Sequence, residues 1–351
     1  MGVAAAMGTA VNGRVPAPRI PDSRIPVIRS LLRLIALPAL LVLAGGSLAS
    51  GEERYAIIVA GASGGAGYAQ QYGGWIKALT GALVDRLGFD PTHVTTLTDS
   101  PDRSAAATAE NLRRVVAERR AQLKPDDLLL LFLIGHGTFD GVDAKFNLVG
   151  PDMEAAEWAT LLRGMPGRLV IVNGAPASSP FIERLAGPRR IVISATDSVV
   201  QRFDTVFPEY FIAAFQEEGA DIDKNGRTSL WEAFAWAAGA VRRFYQERGQ
   251  LATERPLLDD NGDGVGREAS AQGLDGSVAS RTYLAPAPAG APPTDEVLVE
   301  LLHRRASLVA EVEELQVKKA FMSADEYARE FEHIMLALAR VGREIRQRNP
   351  S

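Results

Sequence analysis

Few residues in this chain can do chemistry, and His136 is the first of them. It stands between Gly135 and Gly137, where the apolar run "LLLLFLIG" ends. An imidazole in that setting can serve as a general base, while the glycine amides beside it can donate to a developing oxyanion. A base of this kind works on a nucleophile. The 351 residues include no cysteine, which removes a thiolate nucleophile, thiolate metal ligands and disulfides together. The nearest hydroxyls in a comparable place are Ser178 and Ser179 in "NGAPASS", and serines opening a predicted helix are more often caps than nucleophiles. The other histidines, His93, His303 and His333, have no such glycine setting.

A second group of residues is all oxygen. In "DIDKNGRTSLWE", residues 221–232, side-chain donors recur at Asp221, Asp223, Asn225, Ser229 and Glu232, with the Arg227 carbonyl expected between them and Gly226 at the turn. These are positions 1, 3, 5, 7, 9 and 12 of an EF-hand loop, and hard oxygen donors in that number suit Ca²⁺. The second acidic loop, "DDNGDGVGRE" at 259–268, places Asp259, Asn261, Asp263 and Gly264 likewise but has Ser270 where the closing acid belongs. It reads equally as a partial calcium site or as a run of Asx turns. "GASGGAG" at 61–67 lacks the spacing of a phosphate-binding fingerprint and is expected to form a flexible rim.

These residues need a scaffold. Strand-like runs at 54–61, 93–99, 127–135, 168–173 and 189–195 alternate with helical spacing at 75–88, 108–123, 154–165 and 179–187. Five strands alternating with helices predict a doubly wound, mostly parallel sheet, whose ligands gather beyond the carboxyl ends of the strands. His136, "NGAPASS" and the glycine loop all fall there. With 23% charged residues and a net charge of -5, the chain has no basic footprint for nucleic acid.

The ends of the chain carry other signals. Arg19, Arg24, Arg29 and Arg33 precede an apolar run at 34–46 and the small residues 47–49, so 1–50 is expected to be a signal peptide or an uncleaved anchor. Export to the periplasm or the exterior follows, with membrane contact only through an uncleaved N-terminus. A Pro/Ala linker at 284–293 closes a domain running over 51–283. Beyond it, 294–351 predicts a helical hairpin with a coiled-coil-like stripe of Tyr327, Phe331, Ile334, Leu338, Val341 and Ile345.

The order of elements over 54–248 resembles the legumain-like cysteine peptidases, of the wider caspase-hemoglobinase fold. The resemblance lies in "AIIVAGASGGAGYAQQYGGW", in "LLLFLIGHGTFDG" and in "LVIVNGAPASS". It implies that His136 corresponds to the catalytic histidine, Gly137 to the glycine amide after it, and Ala175 to the nucleophilic cysteine. An alanine cannot form the thioester. The family's basic specificity residue falls on Ala69, and neither Gln70 nor Gln71 restores its charge.

Residues and resemblance together predict a caspase-hemoglobinase-like α/β sandwich with a calcium loop and a helical tail. The function expected is that of an exported, calcium-binding, catalytically inactive homologue holding a peptide or protein ligand. Two alternatives stay open. One is a hydrolase using His136 with Ser178, Ser179 or an activated water; the other is a structural module that self-associates through its C-terminal helices.

Overall fold

A computed structural model describes residues 52–271, 275–286 and 296–348. The reading of 1–50 as a targeting segment lies outside the described residues, as does most of the 284–293 linker.

The sheet follows from the uninterrupted apolar runs. β1 (Arg54–Ala60), β2 (Val94–Leu97), β3 (Leu128–Ile134), β4 (Gly137–Phe139), β5 (Ala144–Phe146), β6 (Met153–Glu154), β7 (Arg168–Asn173), β8 (Arg190–Ser194) and β9 (Leu257–Asp259) are the described strands. Six of them form one sheet in the order β2-β1-β3-β7-β8-β9, parallel except for β9, which runs antiparallel to β8. β4, β5 and β6 form a small antiparallel sheet of their own. β3 is buried at every position because both faces of a central parallel strand are covered.

Alternate residues of each strand enter opposite cores. Ile58, Leu130, Phe132, Val170, Val172 and Ile193 face one cluster. It is completed by helices α1 (Ala66–Gly81), α5 (Phe207–Ala214) and α6 (Leu230–Glu247). Ile57, Val59, Leu129, Leu131 and Ile171 face the other, closed by α2 (Ala109–Gln122), α3 (Ala155–Leu161) and α4 (Pro180–Leu185). Two long helices follow, α7 (Glu296–Lys318) and α8 (Ala324–Arg348). They pack on each other through Leu308, Leu315 and Ile334. They also pack on the domain, because Leu298, Leu302 and Ile345 join the first core and His303 stacks on Trp231 at 4.5 Å between ring centroids.

The structure departs from the sequence reading in three places. α1 begins at Ala66, nine residues before the predicted start at 75, because burial of Tyr72, Trp75 and Leu79 outweighs the poor helix propensity of the glycines around them. The glycine loop is correspondingly short and held by hydrogen bonds, with Ala62 N donating to the Asn147 carbonyl and Ser63 to Asp99. β9 and the small sheet were beyond any periodicity, since strands of two or three residues show none.

Candidate functional site

His136 leaves β3 at the carboxyl end of the sheet and enters a box of polar aromatic residues. Its Nε2 lies 3.1 Å from the Ser63 carbonyl and 3.3 Å from the Tyr72 hydroxyl. A carbonyl only accepts, so Nε2 carries the proton in that contact. Nδ1 faces Asp204 Oδ1 at 3.7 Å, and the same carboxylate accepts a 2.5 Å hydrogen bond from Tyr68. Tyr68 meets the imidazole edge-on at 4.7 Å between ring centroids. Burial pushes the Tyr72 phenol up, so it stays protonated. Nε2 is thus engaged by the protein itself, while Nδ1 stands near the Asp204 carboxylate beyond hydrogen-bond distance.

Gly137 and Ala175 are neighbours. A Cβ on Gly137 would stand 2.2 Å from the Pro176 carbonyl oxygen and 3.2 Å from the Ala175 Cβ. Only a glycine allows this approach. Asn173 Oδ1 accepts from Ala175 N at 3.0 Å, fixing the turn after β7. Over that turn lies the segment after β8. Gln201 accepts from Ala177 N, and Thr205 donates to the Gly174 carbonyl. Ala175 is left 1% exposed.

Of the two serines offered as substitute nucleophiles, Ser178 is not available. Ser178 is fully buried, and its Oγ accepts from the amides of Ala195 and Thr196 while bonding the Thr196 hydroxyl. It joins the β7 and β8 turns. Ser179 precedes α4 and makes no side-chain cap, contrary to the expectation for a serine there, because its backbone angles are already helical rather than the extended ones a capping residue takes.

The acidic loop is a second, separate site. Asp221, Asp223 and Glu232 each offer a carboxylate oxygen within 4.8 Å of the others. Glu232 is fully buried at the start of α6. Its Oε1 accepts from the amides of Ile222 and Asp223, and its Oε2 from Ser229 N and Oγ. Asp221 accepts from Asn225 N and Gly226 N, so the loop is wrapped around its first residue, with Gly226 at φ +79° making the turn. Burial pushes both Asp223 and Glu232 up, and the neighbouring charge of Asp221 adds at the first and that of Asp223 at the second. A hard dication fits this donor set, since it would relieve the repulsion that raises both groups. Ser229 instead spends its hydroxyl on capping α6, accepting from Glu232 N at 3.2 Å. The predicted ligands therefore converge through their three carboxylates, with Ser229 turned to the helix.

In the second loop Asp259 accepts from Gly262 N and Gly264 N, Asn261 from Asp263 N, and Asp263 from Val265 N. Arg267 bonds Asp263 at 3.1 Å and also pairs with the buried Asp275. A guanidinium occupies the place where a cation would be needed.

Reading the sequence missed Tyr68, Tyr72 and Asp204. The two tyrosines are four residues apart and share a helix face, a signal that an earlier helix start would have exposed. Asp204 comes from a distant loop and has no sequence signal.

No family model matches the chain, and no curated protein matches it. Solved structures show a loose likeness. Protein GSU0716 from Geobacter sulfurreducens is 15% identical with a TM-score of 0.37, over 62% of this chain and 97% of that one. The Drosophila initiator caspase Dronc is 12% identical with a TM-score of 0.39, over 60% and 80%. The structure of drICE is 12% identical with a TM-score of 0.35, over 59% and 87%.

Proposed function

We propose that this chain is an exported, calcium-binding and catalytically inactive relative of the legumain-like peptidases. It would use the loops at the carboxyl end of its sheet to hold a peptide or protein. The observation that carries the reading is the pairing of His136-Gly137 with Ala175, buried, in a chain without a thiol. Acyl transfer needs a nucleophile beside the base. Here Nε2 of the base is tied to the Ser63 carbonyl, and the position beside it is a methyl group. Val142, Val200 and Phe203 are each more than two-thirds exposed on loops leaving that end, and they offer the ligand an apolar foothold. Calcium is supported by the converging carboxylates of the 221–232 loop.

The test is a hydrolysis assay on a mixed peptide library with the full chain and with His136→Ala. No turnover above buffer is expected from either protein. Turnover that disappears in His136→Ala would overturn the reading and restore the hydrolase.

A further inference from the structure

Between α6 and α7 lies a cavity of about 180 Å³, apart from the histidine site and touching the calcium loop only through Ile222. One wall is apolar, with Ile222, Trp236 and Val309, and small residues on α6 and α7 leave the space open. Arg242, Arg243 and Arg305 line the rest. Gly239 lets two of them close in. A Cβ there would be 3.3 Å from Arg243 Nη1 and 3.9 Å from Arg242 Nη2, so both guanidinia lie over the bare helix backbone.

Three cations in one small cavity call for anions, and the described residues supply only one by contact. Glu313 takes the Nε of Arg242 at 2.5 Å. Among the described residues, Arg243 and Arg305 make no hydrogen bond or ion pair. Arg305 is half-buried, and it senses the Glu232 carboxylate only through space. A guanidinium withdrawn from water without a partner is costly, and its planar fork matches a carboxylate.

We propose that this cavity binds a small organic acid, its carboxylate held by the arginine cluster and its apolar body laid against Trp236. A void of this size is below that of drug-sized pockets, which limits the ligand to a short aliphatic or simple aromatic acid.

Hexanoate titrated into the full chain in chelator, followed by calorimetry, tests the assignment, with 1-hexanol and inorganic phosphate as comparisons. Saturable binding of hexanoate is expected, with hexanol and phosphate each weaker by about tenfold or more, the scale of one charge-assisted contact. Arg305→Met and the exposed Arg243→Met should each weaken hexanoate by a similar factor. Ala306→Trp, which fills the void, should abolish binding. Because Arg243 is exposed, its variant stays interpretable if the others fail to fold. Hexanol binding as well as hexanoate, phosphate binding as well as hexanoate, or indifference to Arg243→Met would each overturn the proposal.

Discussion

At 221–232 three carboxylates, from Asp221, Asp223 and Glu232, converge without an ion pair among the described residues. At 259–268 the same alternation of Asp, Asn and Gly surrounds Asp259, and Arg267 spans Asp263 and Asp275. In both loops the inner Asx residues take a backbone amide two residues on, as Asp223 does from Asn225, Asn225 from Arg227, Asn261 from Asp263 and Asp263 from Val265, while the leading Asp221 and Asp259 accept from amides further along. The alternation is therefore first a device for satisfying a tight turn. What separates the loops is the residue that follows the alternation. In one it is a carboxylate at the head of a helix, in the other a guanidinium.

The hardest blow to this contrast is Arg267→Met. It leaves the Asp275 carboxylate buried and unpaired, and it should cost about 3 kcal/mol in urea denaturation, with or without calcium. Rescue of the variant by calcium would show that the loops differ by that guanidinium alone. Next in size is calcium itself. At a hundredfold excess over its dissociation constant it should add about 2.7 kcal/mol, read as a higher melting temperature than in chelator. Asp221→Ala should erase the difference, whereas an unchanged wild-type melting temperature in chelator would remove the contrast altogether.

The smallest effect is on pH dependence. In chelator the folded state holds protons on Asp223 and Glu232 that the unfolded chain has already released, since both groups are pushed up by burial. Stability must then fall as pH rises from about 4, the unfolded carboxylate range, towards neutrality. Calcium should flatten that slope, and Asp223→Asn should reduce it in chelator. A rise in stability over the same window in chelator would contradict the buried carboxylate pair.

Legibility in the sequence tracked locality. The 221–232 loop could be read residue by residue because its donors lie within twelve positions, and three of them meet in space. The five long strands were visible as apolar runs wherever both faces are covered, as in β3. What escaped depended on distant chain. β9 owes its pairing to β8, some sixty residues earlier, and the environment of His136 depends on Asp204 across the fold. Ser178 looked like a hydroxyl near an active position. Only the placement of the Ala195 and Thr196 amides shows it to be a structural tie.

The cover over Ala175 also sets what a thiol placed there could do. Cysteine in place of Ala175 would put sulfur at a position only 1% exposed. Burial in apolar surroundings favours the protonated, inert thiol. The segment through Gln201, Asp204 and Thr205 would have to lift away as well, breaking its bonds to Ala177, Tyr68 and Gly174. A reactive thiol at this position would therefore need several changes that act only in combination, because the latch holds the covering segment down.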